Sequence, residues 1–231
     1  MCGRYTITLT LEELVIRFVM DRTSLPFYSP RYNVAPGQMI MAVIHDGENN
    51  RAGELKWGLI PSWTKPENER SGGTGIINAR SESVAQKPSF KALLERKRCI
   101  IPADSFYEWK PLPDGKGKQP MRIQLHDGSL FAMAALYDTW LTPEGQKLST
   151  ATIITTEANE LIMDIHSRMP VILRPEDEKA WLDRNERSPH KLLPLLRPYP
   201  AAQMKAYPVS QAVGNVRNDT PELLEEVPVH T

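Results

Sequence analysis

The sequence predicts an α+β fold, a mainly antiparallel, barrel-like sheet with a few short flanking helices. Three observations predict it. Apolar and polar residues alternate with period two over several short segments that end at turn signals, the mark of half-buried strands. Asp46-Gly47 and Asp127-Gly128 separate neighbouring segments by tight turns, which favours antiparallel neighbours over crossover units. Twenty prolines punctuate the chain and favour many short elements over long ones.

Taken in order, the first element is a helix over Leu11–Asp21. Thr10 and Glu13 have the spacing of a capping box, and Leu14, Val15 and Phe18 share one face. Strands follow at Met39–His45 and Leu55–Gly58, then a glycine-rich surface loop at Lys65–Gly75. A helix is expected over Ser89–Arg98, and the aromatic segment Ser105–Lys110 reads as a strand. Pro111–Lys118 is a second loop. Neither loop is a phosphate loop: the first lacks the Gly-Lys-Ser/Thr ending and the second lacks the strand-glycine-helix context. Strands are expected at Met121–His126, Leu130–Tyr137 and Ser149–Thr155, with helices at Glu157–Ile165 and Pro175–Asp183. The chain reads as a single domain over 1–231 whose tail from Pro221 to Thr231 is a loose end.

Composition narrows the class. In 231 residues, 41% are hydrophobic and 24% charged, enough apolar surface for a full core. Lysine plus arginine balances aspartate plus glutamate at 28 each, so any contact with nucleic acid has to come from a local basic patch. Cys2 and Cys99 are too few for a zinc cluster or a disulfide framework, which points to a reducing compartment; no metal or organic cofactor is expected. The longest apolar run, Leu130–Leu136, is far shorter than a membrane span of ~20 residues, and the N-terminus lacks the pattern of a signal peptide. The expectation is a soluble cytoplasmic protein without a membrane partner.

Cys2 is the most informative residue. A small residue after the initiator methionine permits removal of Met1, which leaves an amine and a thiol on adjacent carbons. Their ordinary pKa values, about 7.7–8.0 and about 8.5, keep both partly nucleophilic at neutral pH. With an aldehyde the amine forms an imine, and the neighbouring thiol closes it to a five-membered thiazolidine. An isolated cysteine at this place is equally compatible with inert packing at the start of a strand. Glu108 sits on the same strand face as Phe106, where a carboxylate among aromatics suits a proton donor or pairs with an arginine. His166, after an expected helix, can act as acid or base or cap the helix end. Asn78 and Arg80 follow the glycine-rich loop. Arg80 and Arg4 can hold phosphates or form surface ion pairs. The run Lys87, Lys91, Arg96, Lys97, Arg98 reads as a solvated helix face.

These residues lie in segments that occur together. Met1-Cys-Gly-Arg4, Arg31-Tyr-Asn-Val-Ala-Pro36, Trp57-Gly-Leu-Ile-Pro61 and Ile77-Asn-Ala-Arg80 come first. Ile101-Pro-Ala-Asp-Ser-Phe-Tyr-Glu-Trp-Lys110, Asp164-Ile-His-Ser-Arg-Met-Pro170, Pro208-Val-Ser210 and Asn218-Asp-Thr-Pro-Glu-Leu223 follow. In this order and spacing the chain resembles, over nearly its whole length, the SOS response-associated peptidase family, whose members look like sensors of abasic sites in single-stranded DNA. The resemblance implies that Cys2 is the nucleophile, that Asn78 and Glu108 position and protonate the opened sugar, and that His166 stabilises it and moves protons. It further implies that Arg4 and Arg80 hold the DNA backbone, while Trp109 and the Pro36 loop border the site. The implied partner is single-stranded DNA carrying abasic sites, met in the nucleoid, as part of a DNA damage response. Competing readings are an N-terminal-nucleophile amidohydrolase, a thiol peptidase using Cys2, Glu108 and His166, and a non-covalent single-strand binder.

Overall fold

A computed structural model describes residues 2–20, 28–65 and 74–228. The chain runs β1 (Tyr5–Ile7), α1 (Leu11–Phe18), β2 (Arg31–Val34), β3 (Met39–His45), β4 (Asn50–Trp57), β5 (Asn78–Arg80), α2 (Pro88–Arg96), β6 (Arg98–Ala103) and β7 (Ser105–Pro111). It continues through β8 (Lys118–Leu125), β9 (Phe131–Leu141), β10 (Lys147–Glu157), β11 (Arg168–Pro170), β12 (Ile172–Leu173), α3 (Pro175–Leu182), α4 (Pro189–Leu192) and β13 (Met204–Pro208). The fold is the expected α+β arrangement, antiparallel for the most part and flanked by short helices.

The strands form two sheets. One has the order β13-β8-β7-β1-β2; the other runs β11-β10-β4-β3-β6-β9-β12, with β5 beside β10 and a further pairing of β10 with β9. Two pairings, β10 with β4 and β10 with β5, are parallel. The core fills the space between the sheets. Phe106 of the first sheet meets Phe131 of the second edge to face at 6.5 Å, and Tyr5 meets Trp57 at 5.5 Å. All four are buried. Removing a side chain of phenylalanine size from water contributes about 1.5–3 kcal/mol, so these contacts hold the sheets face to face.

Local signals form as expected where they are local. The Thr10 side chain accepts from Glu13 N at 3.2 Å while Glu13 reaches back to Thr10 N at 2.7 Å, closing the capping box on α1. The helix ends at Phe18, and the rest of the expected helix beyond Met20 lies outside the described residues. The Asp46-Gly47 turn joins β3 to β4 as a hairpin, with Asp46 Oδ1 accepting from Glu48 N and Asn49 N at 2.8 Å each.

Four expectations are corrected. The Asp127-Gly128 turn forms, but it passes the chain from β8 in one sheet to β9 in the other instead of closing a hairpin. Glu157–Ile165 is not a helix. Glu157 ends β10, and Asn159 gathers the following turns by accepting from Ile162 N at 3.1 Å while its Nδ2 donates to Tyr199 O at 2.7 Å. Side-chain bonds of this kind compete with helix formation. The basic run is not one solvated face: Arg98 is buried and donates to the carbonyls of Trp181, Leu94, Asp183 and Glu186, while Lys97 pairs with Asp138 at 2.7 Å. The tail is not loose up to residue 228: Leu223 is buried against Tyr107, Val209 and Val213, and Val227 N donates to Pro208 O at 3.0 Å. Residues 229–231 and most of the glycine-rich loop, 66–73, lie outside the described residues.

That loop's end nevertheless shows why glycine stands there. A Cβ on Gly58 would fall 1.4 Å from Thr74 O, and one on Gly75 would fall 2.5 Å from Gly58 O. The two backbones cross in contact, beside the Leu59–Ile76 bridge, and only glycine on both sides permits it. The crossing fixes the point from which the chain enters β5.

Candidate active site

Cys2 reaches its place along β7. Tyr5 lies opposite Phe106, and Tyr107 N donates to Arg4 O at 3.0 Å, so the N-terminal residues run toward Glu108. Cys2 is wholly enclosed and Glu108 is 3% exposed. Burial is the main force that pushes the Cys2 thiol far above its ordinary range, the Glu108 carboxylate adds to it, and a hydrogen bond from the Arg4 backbone acts the other way. The thiol is therefore protonated at neutral pH, with Glu108 near enough for its charge to be felt.

A second group lies on strands of the larger sheet. Asn78 opens β5 opposite Ile153 of β10, and its Nδ2 donates to Ile153 O at 3.4 Å. Its Oδ1 is buried with no hydrogen-bond partner among the described residues. Arg80, exposed, closes the same strand. His166 sits just before β11, and its Nδ1 accepts from Arg168 N at 3.0 Å. Arg168 O lies 3.2 Å from the same nitrogen, so the backbone of Arg168 fixes the orientation of the ring. Asn78, Arg80 and His166 share a cleft of about 520 Å³ with Lys87, Thr155 and Arg168. The β5–β10 pairing sets Arg80 opposite Thr155 in this lining.

Three of these neighbours carry little signal in the sequence. Lys87 lies only in a charge run, and Thr155 and Arg168 have no signal of their own. Arg168 becomes visible as a cleft residue only because β11 pairs with β10, bringing Glu157 opposite it.

A third group surrounds Arg4. Its Nη1 donates to Asn33 Oδ1 at 2.8 Å and to Val213 O at 2.7 Å, its Nη2 donates to Gly214 O at 3.1 Å, and its guanidinium lies 5.8 Å from the Trp109 ring centroid. Trp109 packs half-buried against the small cluster of Tyr107, Val209, Val213 and Leu223. Pro36 stands in the turn between β2 and β3, secured by Gly37 N donating to Trp57 O at 2.7 Å. The structure thus gathers Cys2 with Glu108, Asn78 with Arg80 and His166, and Arg4 with Trp109. Cys2 itself lies in the core and not on the wall of the cleft.

Among the described residues no three histidine, cysteine, aspartate or glutamate side chains gather as a metal site. Among them, too, no helix is long and apolar enough to cross a membrane.

The SOS response associated peptidase (SRAP) family matches residues 1–216. The abasic site processing protein YoqW of Bacillus subtilis is 53% identical over 227 residues, covering 97% of this chain and 99% of its own. The abasic site processing protein YedK of Escherichia coli is 35% identical, covering 98% of this chain and 100% of its own. The abasic site processing protein HMCES of Gallus gallus is 36% identical over 85% of this chain and 66% of its own. A crystal structure of a protein from Bacteroides thetaiotaomicron superposes with a TM-score of 0.85 at 27% identity, covering 98% of this chain and 100% of that one.

Proposed function

The chain belongs to the SOS response associated peptidase family, and from that premise we propose that it captures abasic sites in single-stranded DNA by a covalent bond to Cys2. The observation that carries the reading is the enclosure of the Cys2 thiol beside the buried Glu108 carboxylate, at the second residue of the chain. Removal of Met1, which lies outside the described residues, gives Cys2 the free α-amine that the chemistry requires.

The steps follow from the groups present. An abasic deoxyribose is mostly a closed hemiacetal. Protonation of its ring oxygen by Glu108, with loss of the C1′ hydroxyl proton, opens it to the aldehyde. The Cys2 amine attacks C1′, and the carbonyl oxygen leaves as water to give an imine. The Cys2 sulfur then adds to C1′ while the thiol proton passes to the imine nitrogen, closing the thiazolidine. A thiol that rests protonated fits this order, because the amine attacks first and the sulfur then closes the ring onto an imine already formed on the same residue. In this reading Asn78 accepts from a sugar hydroxyl, which its buried and unpartnered Oδ1 supports, and His166 stabilises the opened sugar and moves protons. Arg80, with Arg4, Trp109 and the Pro36 turn, borders the strand. At the imine stage, loss of the C2′ proton would expel the 3′ phosphate and cut the strand; closure by sulfur removes that path, so the lesion is shielded. The protein acts as a single domain inside the cell, where such DNA occurs.

A thiol-peptidase reading uses the same Cys2, Glu108 and His166. A peptidase thiolate needs a lowered pKa, and burial moves Cys2 in the opposite direction. The test is an oligonucleotide carrying one abasic site. The mature protein is expected to give an adduct that survives denaturing electrophoresis, and Cys2→Ala is expected to give none. An undiminished adduct from Cys2→Ala would assign the bond to another residue.

A further inference from the structure

Glu82 follows Arg80 by two residues, and its carboxylate takes the Arg168 guanidinium in a two-pronged ion pair. Arg168 Nη1 meets Glu82 Oε1 at 2.6 Å and Nη2 meets Oε2 at 3.0 Å. Nη2 also donates to Thr155 O at 2.7 Å. Both terminal nitrogens of Arg168 are thus engaged within the protein, although this side chain forms part of the cleft wall beside His166. The pair joins positions 86 residues apart.

Stability alone is a poor account of this pairing. The Glu82 side chain is 53% exposed, and exposed pairs contribute about 0.2–1 kcal/mol. Its charge also bears on the cleft. The lining holds Arg80, Lys87 and Arg168, all cationic, and Glu82 sets one negative charge among them. The hydrogen bonds from Arg168, aided by the charge of Arg80, hold the Glu82 carboxyl below its ordinary range, so it is ionised at neutral pH.

Phosphate contacts bind intact and damaged strands equally well. A protein that must find a rare aldehyde among many intact nucleotides gains selectivity by weakening contacts common to both, including with a charge that repels the common part. We propose that Glu82 is a specificity-determining residue: it occupies Arg168 and opposes strand phosphates at the cleft, so that intact single strands are held weakly and retention depends on the bond to Cys2. The inference rests on the reading of this cleft as a DNA site.

The experiment compares wild-type protein with Glu82→Gln, Glu82→Ala and Glu82→Asp. Each is titrated with a fluorescent intact single-stranded oligonucleotide over a series of salt concentrations, and cross-linking to the abasic oligonucleotide is followed in parallel. Glu82→Gln and Glu82→Ala are expected to bind the intact strand about three- to tenfold more tightly, with a salt slope steeper by about 0.7 as Arg168 gains a phosphate. Glu82→Asp, which keeps the charge, is expected to stay near wild type. In competition, excess intact strand is expected to slow cross-linking by the neutral variants more than by wild type. A purely structural role predicts the opposite sign, weaker binding. Unchanged or weaker binding by the neutral variants, with wild-type cross-linking intact, would overturn the role of Glu82 alone. Absence of both DNA binding and cross-linking in the wild type would overturn the DNA reading itself and this inference with it.

Discussion

Arg4 Nη1 donates to Asn33 Oδ1 at 2.8 Å, and Asn33 Nδ2 in turn donates to the carbonyls of Val213, Asn215 and Asn218. With Asp219 accepting from Tyr32 N, Asn33 N and Arg31 Nε, this joins the segment before β1, β2 and the C-terminal turns. Arg4 is therefore tied into the fold, whereas Arg80 is exposed at the cleft.

The two arginines are expected to respond differently to alanine. Arg4→Ala strips donors from Asn33 Oδ1, Val213 O and Gly214 O and is expected to cost about 1–3 kcal/mol in urea unfolding. Arg80→Ala is expected to change stability by no more than about 0.5 kcal/mol but to flatten the salt slope of single-strand affinity by about 0.7. An unchanged slope for Arg80→Ala would move the DNA path elsewhere.

Glu108→Gln separates ring opening from capture. If Glu108 is the acid that opens the sugar, the variant is expected to form adduct with abasic DNA about 10²- to 10⁴-fold more slowly. Toward a simple aldehyde that has no ring to open, it is expected to be far less impaired. Equal defects on both substrates would return Glu108 to the role of a buried structural carboxylate.

His166→Ala acts later in the sequence. If His166 moves protons during thiazolidine closure, its loss is expected to slow closure and let elimination from the imine compete. More cleaved strand per cross-link is expected when both products are quantified over time. A cleavage ratio equal to that of wild type would remove His166 from this step.

Much of this was legible where the signal is local. Thr10 with Glu13 specified a helix start because both partners of the capping box lie within one turn, and Met39–His45 showed its strand through alternation. Cys2, Asn78, Glu108 and His166 stood out by chemistry and by the motifs around them. What the sequence did not show depends on pairing between distant segments. Asp127-Gly128 specifies a turn but not which sheet its flanks join. Asn159 broke the expected helix through a bond to Tyr199, 40 residues away. Arg168 entered the cleft, and Glu82 reached it, only through the β10–β11 ladder. Leu223 reads as part of a loose tail because the cluster it fills, around Tyr107 and Val209, is assembled from three separate segments.

The buried thiols give a pH prediction. Burial raises the pKa of both Cys2 and Cys99 well above the ordinary thiol range. For a group whose folded pKa is raised, the stabilisation is fully present below the unfolded pKa and is lost as pH rises through it. Unfolding free energy is therefore expected to fall above pH ~9 by about 1.4 kcal/mol per pH unit for each thiol. Cys99→Ala should remove one such contribution, giving a shallower decline between pH 9 and 10 in urea titrations. An identical decline would mean that Cys99 is not protonated by enclosure in the fold.

The most direct test of the central claim is the intact mass of the adduct formed with a single-stranded oligonucleotide bearing one abasic site. The predicted mass is that of the chain without Met1 plus the full-length oligonucleotide less one water, with peptide mapping placing the bond on Cys2. An adduct carried by chains that retain Met1, or one mapped to a lysine, would contradict thiazolidine capture by the N-terminal cysteine.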